Sequence, residues 1–434
     1  FERFMKKGYL IADIKMEFDS NGNIKDNFII KGIVKDAEVN LFKRYSLNKL
    51  NLIFDIKKQI YKFQDIKLFL NDIPISSNNL LIKNLKDNFY IEGEVKNKDI
   101  ELDKNNIELF TKSFIPQINI KNINFSSNNN FSFKIDKKFK IKDFQFSSEV
   151  KLNDLLFLNN ADLKKFFPKI KNEIGLYDHT LKVNYSDKFF NFDGKGKILL
   201  QDEYDEIKYS INKKDKSYKF RSSLEVDKNP LIINLLNFEK NKNSKIIFKI
   251  NGEHFLDQKT EFNQIYLTEN ENKIKIENLL LDKTFKIESL KSINFDYFDK
   301  KDKKNKFIIK KEDNDYFITG SSFNADSFIE NLINDNEDKL NIFKKDFNIF
   351  FKIDHIYLDD QHEVKNFKGN LYLKNNEFLN GNLTAVFPEN QKLNFSINSD
   401  QERKITTLFL GKAKPLIKRY KFIKGFEEGS LDFY

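Results

Sequence analysis

The chain reads as a mainly β protein, a long antiparallel meander curled into an elongated open groove with a few short helices. Three observations predict this class. Apolar and polar residues alternate with period two, the signature of strands with one apolar and one polar face. Turn-forming clusters punctuate the alternation at near-regular spacing. Helix-period patterns are too few to cover so many apolar strand faces, so an open sheet of about 25 strands has to curl, split into layers or cover its apolar face in another way.

The elements follow in order. KLNLIFDIKK sets Leu50, Leu52, Phe54 and Ile56 on one face and Asn51, Asp55 and Lys57 on the other, with Ile53 blurring the pattern. The alternation recurs at Ile118/Ile120, Phe131/Phe133/Ile135, Leu181/Val183/Tyr185 and Ile274/Ile276. It returns at Ile349/Phe351/Ile353, Leu393/Phe395/Ile397 and Ile405/Thr407/Phe409. Turns are expected at Asp19–Asn23 (DSNGN), Ser76–Asn79, Lys86–Asn88, Ser126–Asn130, Phe192–Gly196 and Lys374–Glu377, and the lysine-rich stretch Tyr297–Phe307 reads as a solvated hairpin loop.

Helices are expected near 152–172, 324–334 and 412–424. The first is split, because Pro168 disfavours helical geometry at Phe167. The second has Asn324 or Asp326 as its N-cap and a stripe of Phe328, Ile329 and Leu332. The third carries Pro415 in its first turn and ends at Gly425, handing over through Gly429 to a strand from Ser430. No Gly/Ser/Pro linker or charge block marks a boundary, so residues 1–150 and 151–434 are expected to form one continuous groove.

Composition narrows the function classes. The net charge is +10, yet 75 basic residues are interleaved with 65 acidic ones and only five are arginine. A phosphate-gripping surface favours the bidentate guanidinium fork, so the basic excess reads as a solvated lysine surface rather than a nucleic-acid interface. There is no Cys, which excludes disulfides and thiolate chemistry. No apolar run approaches the ~18 residues of a membrane span, and no leader pattern is visible. The first residue is Phe, so the chain is expected to be an interior piece of a longer protein.

No motif points to catalysis. DSNGN places its glycine too early for a calcium loop and reads as a hairpin turn. HIYLDDQH sets His355 and His362 around Asp359 and Asp360, but as strand, turn and strand, with no fixed convergence on a metal. His179 and His254 read as surface or edge residues. Glu427 and Glu428 are adjacent and face opposite sides of a strand, so they cannot share a substrate. No GxSxG, P-loop or GxGxxG is present. Lys418, Arg419, Lys421 and Lys424 are the wet side of the last helix, whose packing stripe is Leu416, Ile417, Tyr420 and Ile423. The chain is therefore expected to be no enzyme, with no cofactor and no metal.

The order of segments carries a resemblance. DFNIFFKIDHIYLDDQHEVKNFKGNLYLKNNEF, then GNLTAVFPENQKLNFSIN, then RKITTLFLGKAKPLIKRYKFIKGFEEGSLDFY is similar to the conserved segment of the AsmA-like family, in its YhdP/TamB-type branch of bridge-like lipid-transfer proteins from diderm bacteria. Matching positions are Ala413, Leu416, Ile417, Tyr420, Phe422, Gly425, Gly429 and Leu431. Lys412 stands where the family has Asp, and Glu428–Gly429 replaces a double glycine. YFITGSSFNADSFIENLI and DLKKFFPKIKNEIGLYDHTLKVNYSDKFFNFDGKGKILLQD resemble earlier family segments. The likeness covers 151–434 segment by segment and 1–150 by texture.

The resemblance implies a taco-shaped β-groove in the periplasm, held to the inner membrane by an anchor outside this chain. It implies that phospholipid acyl chains are conducted toward the outer membrane, in support of outer-membrane biogenesis, with an outer-membrane or periplasmic protein as a further partner and no nucleic acid. The side chains expected to line the groove are Leu50, Leu52, Phe54, Ile56, Phe131, Phe133, Leu181, Val183, Ile274, Ile276, Ile349, Phe351, Ile353, Leu393, Phe395, Ile397, Ile405 and Phe409. The alternative is an extracellular or periplasmic β-rich scaffold or adhesin whose sheets pack together without a lipid channel.

Overall fold

A computed structural model describes residues 5–25, 27–41, 45–104, 107, 119–159, 162–187, 189–256, 258–333, 346–374, 377–399, 403–417 and 429–433. The chain is mainly β. Twenty-four of its strands are assigned to a mainly antiparallel sheet that does not close into a barrel. It divides into two compact units, one of residues 1–160, 171–200 and 206–215, the other of 161–170, 201–205 and 216–434.

In the first unit, ten strands follow one another as antiparallel neighbours. They are β1 Met5–Lys15, β2 Ile29–Leu41, β3 Tyr45–Lys57, β4 Ile60–Leu70, β5 Ile73–Asn84, β6 Asn88–Asp103, β7 Ile120–Asp136, β8 Ile141–Leu158, β9 Glu173–Ser186 and β10 Phe189–Leu199. Most of β11, Asp205–Lys214, also belongs here. The turn at DSNGN forms as expected: the Asp19 carboxylate accepts the Asn21 and Asn23 amides, and Phe18 bridges Ile24.

The second unit continues with β12 Ser217–Val226, the short pair β13 Ile232–Ile233 and β14 Phe238–Glu239 around a 3-10 turn at Asn234–Leu236, then β15 Ile246–Phe255, β16 Lys259–Glu269, β17 Asn272–Asp282, β18 Ile287–Phe298, β19 Lys304–Glu312 and β20 Asp315–Asn324. Helix α1, Asp326–Ile333, leads to β21 Phe347–Tyr357, β22 Glu363–Lys374, β23 Glu377–Val386, β24 Lys392–Ser399 and β25 Lys404–Leu410. Helix α2, Lys414–Ile417, and β26, Leu431–Phe433, complete it. The meander is interrupted once among the described pairings, since β20 and β21 run parallel. Parallel neighbours need a crossover, and α1 lies within that connection.

One expected helix and three expected turns are corrected. Leu152–Leu158 is the end of β8, not a helix, and turns rather than helix follow at 164–169. Leu152, Leu155 and Leu156 satisfy both periods locally; pairing with β9 decides for the strand. Ser76–Asn79, Ser126–Asn130 and Phe192–Gly196 lie inside β5, β7 and β10 rather than at turns. Turns do form around Lys86 and over Asp299–Lys303, although Tyr297 and Phe307, expected in a solvated loop, are buried. The expected third helix is described only as α2; its continuation with Gly425 and the Glu427–Glu428 pair lies outside the described residues, as does Ile118. Gly429 has φ +105 and hands over to β26, which pairs with β25.

Mid-strand phase slips explain how one face stays apolar. Asp36, Lys49, Asp65, Asp99 and Asn366 all have left-handed φ between 49° and 54°, each within a strand that locally holds one residue more than a neighbour. Such bulges flip the alternation. In β2 the apolar side reads Ile30 and Val34 before Asp36, then Ala37 and Val39 after it. In β6 it reads Ile91 and Val95, then Ile100 and Leu102 after Asp99. The Asp99 amide donates to Ser126 Oγ at 2.9 Å, and the Ser126 hydroxyl donates back to Asp99 Oδ1 at 3.1 Å.

Candidate functional site

Residues in register on antiparallel strands point to the same side of the sheet. In the first unit this rule produces a row of ten: Ala12, Gly32, Phe54, Phe63, Leu80, Gly93, Phe131, Phe146, Tyr185 and Phe190. No charged residue or amide interrupts it. Beside it runs Ile14, Ile30, Ile56, Tyr61, Ile82, Ile91 and Phe133. The rings of Phe131, Phe133, Phe144, Phe146 and Tyr185 form a contiguous patch with centroids 5.7–6.4 Å apart. Gly32 and Gly93 are the row's two gaps, because a Cβ at Gly32 would stand 2.6 Å from the Phe54 ring and one at Gly93 would stand 3.1 Å from Phe131.

Towards the other end of the strands the same face carries a polar belt. Ser148 Oγ donates to Asn129 Oδ1 at 2.6 Å, and Asn129 Nδ2 donates to Ser127 Oγ at 2.9 Å and to the Val95 carbonyl at 3.0 Å. Ser127 Oγ donates to Asn97 Oδ1 at 3.2 Å, and Asn97 Nδ2 donates to the Pro74 carbonyl at 3.1 Å. Every serine hydroxyl and asparagine amide nitrogen in this relay makes at least one bond within the sheet, which lowers the cost of covering the belt with hydrocarbon. The serine and asparagine clusters that read as turns belong to it.

Beyond the belt, Ile100, Phe125, Leu152 and His179 form a further row. Here His179 corrects the surface assignment: it is 1% exposed. Its Nε2 donates to the Lys197 carbonyl at 2.9 Å, which leaves Nδ1 to accept the Tyr209 hydroxyl at 3.1 Å. Burial holds the His179 pKa below its ordinary value and pushes the Tyr209 phenol up to about 12. The two glycines of FDGKG are the seats of these rings. A Cβ on Gly194 would lie 2.3 Å from the Tyr209 ring, and one on Gly196 would lie 2.3 Å from the His179 ring. Rings stacked over strand glycines explain why FDGKG is strand and not turn.

The second unit repeats the ladder with one residue type. Ile250, Ile265, Ile276, Ile293, Ile309 and Ile318 stand in register across β15 to β20. The row passes through the parallel pair to Phe351, then to Gly369, Leu383, Phe395, Leu408 and Phe433. Parts of this face are covered. The excursion between β12 and β15 packs Leu231 and Phe238 against Val226, Ile246, Leu267, Ile274, Phe295, Tyr297 and Phe307, and Tyr297 Oη donates to the Leu236 carbonyl at 2.9 Å. Ala325 and Ile329, at the start of α1, pack with Ile353, Ile356, Val364 and Leu393. Phe328, expected in that stripe, is exposed. Asn324 Oδ1 accepts the Asp326 amide at 3.1 Å, and Lys301 bonds the Asp326 carboxylate, favourably placed in the first turn.

Sixteen of the eighteen expected lining residues fall on these apolar faces. Phe54, Ile274, Ile353, Leu393 and Ile397 are buried; Leu50, Leu52, Ile56, Phe131, Phe133, Leu181, Val183, Ile276, Ile349, Phe351 and Phe395 are half-buried. Ile405 and Phe409 do not belong with them. They stand in register with Asn398 and Asn394, on the side opposite Leu393, Phe395 and Ile397, and Ile405 is exposed. Thr406, Leu408 and Leu410 take the apolar side of β25. ITTLFL contains both parities, and only the register with β24 separates them.

The histidines of HIYLDDQH serve local structure. His362 Nδ1 lies 2.8 Å from both Asp359 carboxylate oxygens in the turn, while His355 lies in β21 with Glu363 at 3.9 Å. His254, in β15, bonds Thr260 Oγ1 of β16 at 2.9 Å. Among the described residues no helix is long and apolar enough to cross a membrane. Comparison with models of known families, with curated proteins and with solved structures returned no match.

Proposed function

We propose that the chain is a non-enzymatic lipid carrier of the AsmA-like kind, its sheet curled into an open groove whose apolar face holds phospholipid acyl chains. The observation that supports this reading best is the unbroken row across ten strands of the first unit, continued in kind by the isoleucine ladder of the second. Methylenes placed against such a row gain ~0.8 kcal/mol each on leaving water, with no directional bonds. A long chain is thereby held firmly and still slides from strand to strand. The bulges at Asp36, Lys49, Asp65 and Asp99 supply the local bend that a curled sheet needs, because a bulge raises the twist of its strand. The belt's hydroxyls and amides are bonded within the sheet, which weakens their hold on a passing headgroup.

In this reading the protein works in the periplasm, tethered to the inner membrane by a segment outside the chain, and moves phospholipid toward the outer membrane. The scaffold or adhesin reading draws its support from the buried clusters of the second unit, where packed inserts leave parts of the face dry. A benzophenone amino acid placed at Ile276 and, in a separate protein, at Lys275 tests the proposal with labelled phosphatidylethanolamine vesicles. Ile276 and Lys275 are adjacent and face opposite sides. Crosslinking to lipid from position 276 but not 275 is expected; equal labelling, or none, refutes the carrier reading.

A further inference from the structure

We propose that the polar face of β6 to β9 carries a second binding site, for a neutral saccharide, independent of the acyl-chain reading. Four neighbouring strands form an open concavity of about 520 Å³ there, entirely within the first unit. Its lining holds two polar rows in register, Glu94–Asn130–Ser147–Asn184 and Glu92–Ser132–Gln145–Ser186, with Gly93, Phe131, Phe146 and Tyr185 between them along the strands and Tyr90 and Phe189 at the flanks. The volume falls within the range of small-molecule sites.

Three features decide the ligand class. The first is hydrogen-bonding capacity. The side chains of Asn130, Gln145, Ser147 and Asn184 have no partner among the described residues, so amides and hydroxyls stand free both to donate and to accept. On the other side of the same strands, Asn97, Ser127, Asn129 and Ser148 donate to one another and to the Pro74 and Val95 carbonyls. A ligand that matches the free set has to offer donors and acceptors together, as sugar hydroxyls do.

The second feature is charge. None of the fifteen lining residues is Lys or Arg, in a chain with 75 of them. A phosphate, sulfate or carboxylate ligand would find no cation among the lining residues and would face Glu92 and Glu94, to which the neighbouring Lys83 and Lys96 are already committed. Those carboxylates are themselves engaged, Glu94 with Lys96 at 3.2 Å and Glu92 with Lys83 at 3.9 Å, so they are not free counter-ions for a cationic ligand. An uncharged ligand remains.

The third feature is the aromatic flank. The Phe189 ring is 48% exposed beside Ser186, its partner in register. An exposed ring with a negative face receives the electropositive C–H face of a sugar. Adjacent strands lie ~4.8 Å apart and alternate residues ~6.8 Å apart along each strand, so the free groups form a grid that spans two or three sugar rings.

The test screens the full chain on a printed array of neutral and acidic glycans and then titrates a retained neutral glycan by calorimetry. The proposal expects retention of neutral glycans, weakened at least tenfold by Asn184→Ala combined with Ser147→Ala and, separately, by Phe189→Ala. Melting temperatures should stay unchanged, and Ile14→Glu, at an exposed position of the other face, should leave glycan binding intact. Absence of any neutral glycan signal overturns the proposal, as does binding insensitive to both variants. Retention of sulfated or sialylated glycans alone, abolished by salt, also overturns it, because that pattern belongs to the basic surface. Neither result touches lipid binding, so failure here and failure of the carrier reading are read separately.

Discussion

Replacing Phe131 by Glu tests the apolar row at one point. Phe131 stands between Gly93 and Phe146 in register, with Phe133 5.9 Å away. An acyl chain crossing the sheet passes roughly four methylenes per strand spacing of ~4.8 Å. At ~0.8 kcal/mol per methylene, one strand width contributes about 3 kcal/mol of binding. A carboxylate at this position keeps its water and removes that contribution. At ~1.4 kcal/mol per decade, affinity for a fluorescent fatty acid should fall roughly 100- to 200-fold. The matched control is Asn130→Glu, one residue away on the opposite face, which adds the same charge and should leave fatty-acid affinity within about twofold. The melting temperature of Phe131→Glu should fall only modestly, since the ring is half-buried. Indistinguishable affinities for wild type, Phe131→Glu and Asn130→Glu, each with a folded spectrum, would refute the assignment of this face.

Other expectations concern the sheet that presents the row. Asp99→Val forces a β-branched residue to φ +49 and removes the carboxylate that accepts the Ser126 hydroxyl, leaving only the backbone amide bond to Ser126 Oγ; it should cost about 1–3 kcal/mol in urea unfolding, whereas Asp99→Asn should be nearly neutral. His179 is buried neutral with a lowered pKa, so the unfolded chain takes up the proton first. Its stabilisation is complete above the ordinary histidine value of ~6.5 and is lost as pH falls through that value toward the lower folded one. A pH series of melting temperatures should show this decline, and His179→Gln should flatten it. Tyr297→Phe strips the hydroxyl that bonds the Leu236 carbonyl and should cost about 1–3 kcal/mol, with faster amide exchange between Leu231 and Phe238 as the local readout.

Much of the fold was legible because alternation survives averaging over many strands. Leu50 to Ile56, Ile349 to Ile353 and Leu393 to Ile397 could be assigned to one face from their own spacing. What escaped has specific physical causes. A residue in left-handed conformation shifts the phase of alternation, so Val34 and Ala37 share a face although their spacing denies it. The sequence mark of that device is, at four of the five positions, an Asp or Asn where the parity of apolar residues changes, with Lys49 the exception. Turn propensity misled at FDGKG and at the Ser/Asn clusters, because glycines can serve as ring seats and short polar side chains can bond across strands. His179 has no local signal of burial; only the fold brings Tyr209 and Lys197 to it. The two faces of β25 are equally apolar in sequence, and the choice between them is made by β24.

The central claim is that the apolar face holds phospholipid acyl chains, and native mass spectrometry of the gently purified full chain tests it most directly. Bound phospholipid, released by organic extraction and reduced in Phe131→Glu, is the predicted result. A chain that flies free of lipid after purification from phospholipid-rich membranes, and takes up none from added vesicles, would contradict it.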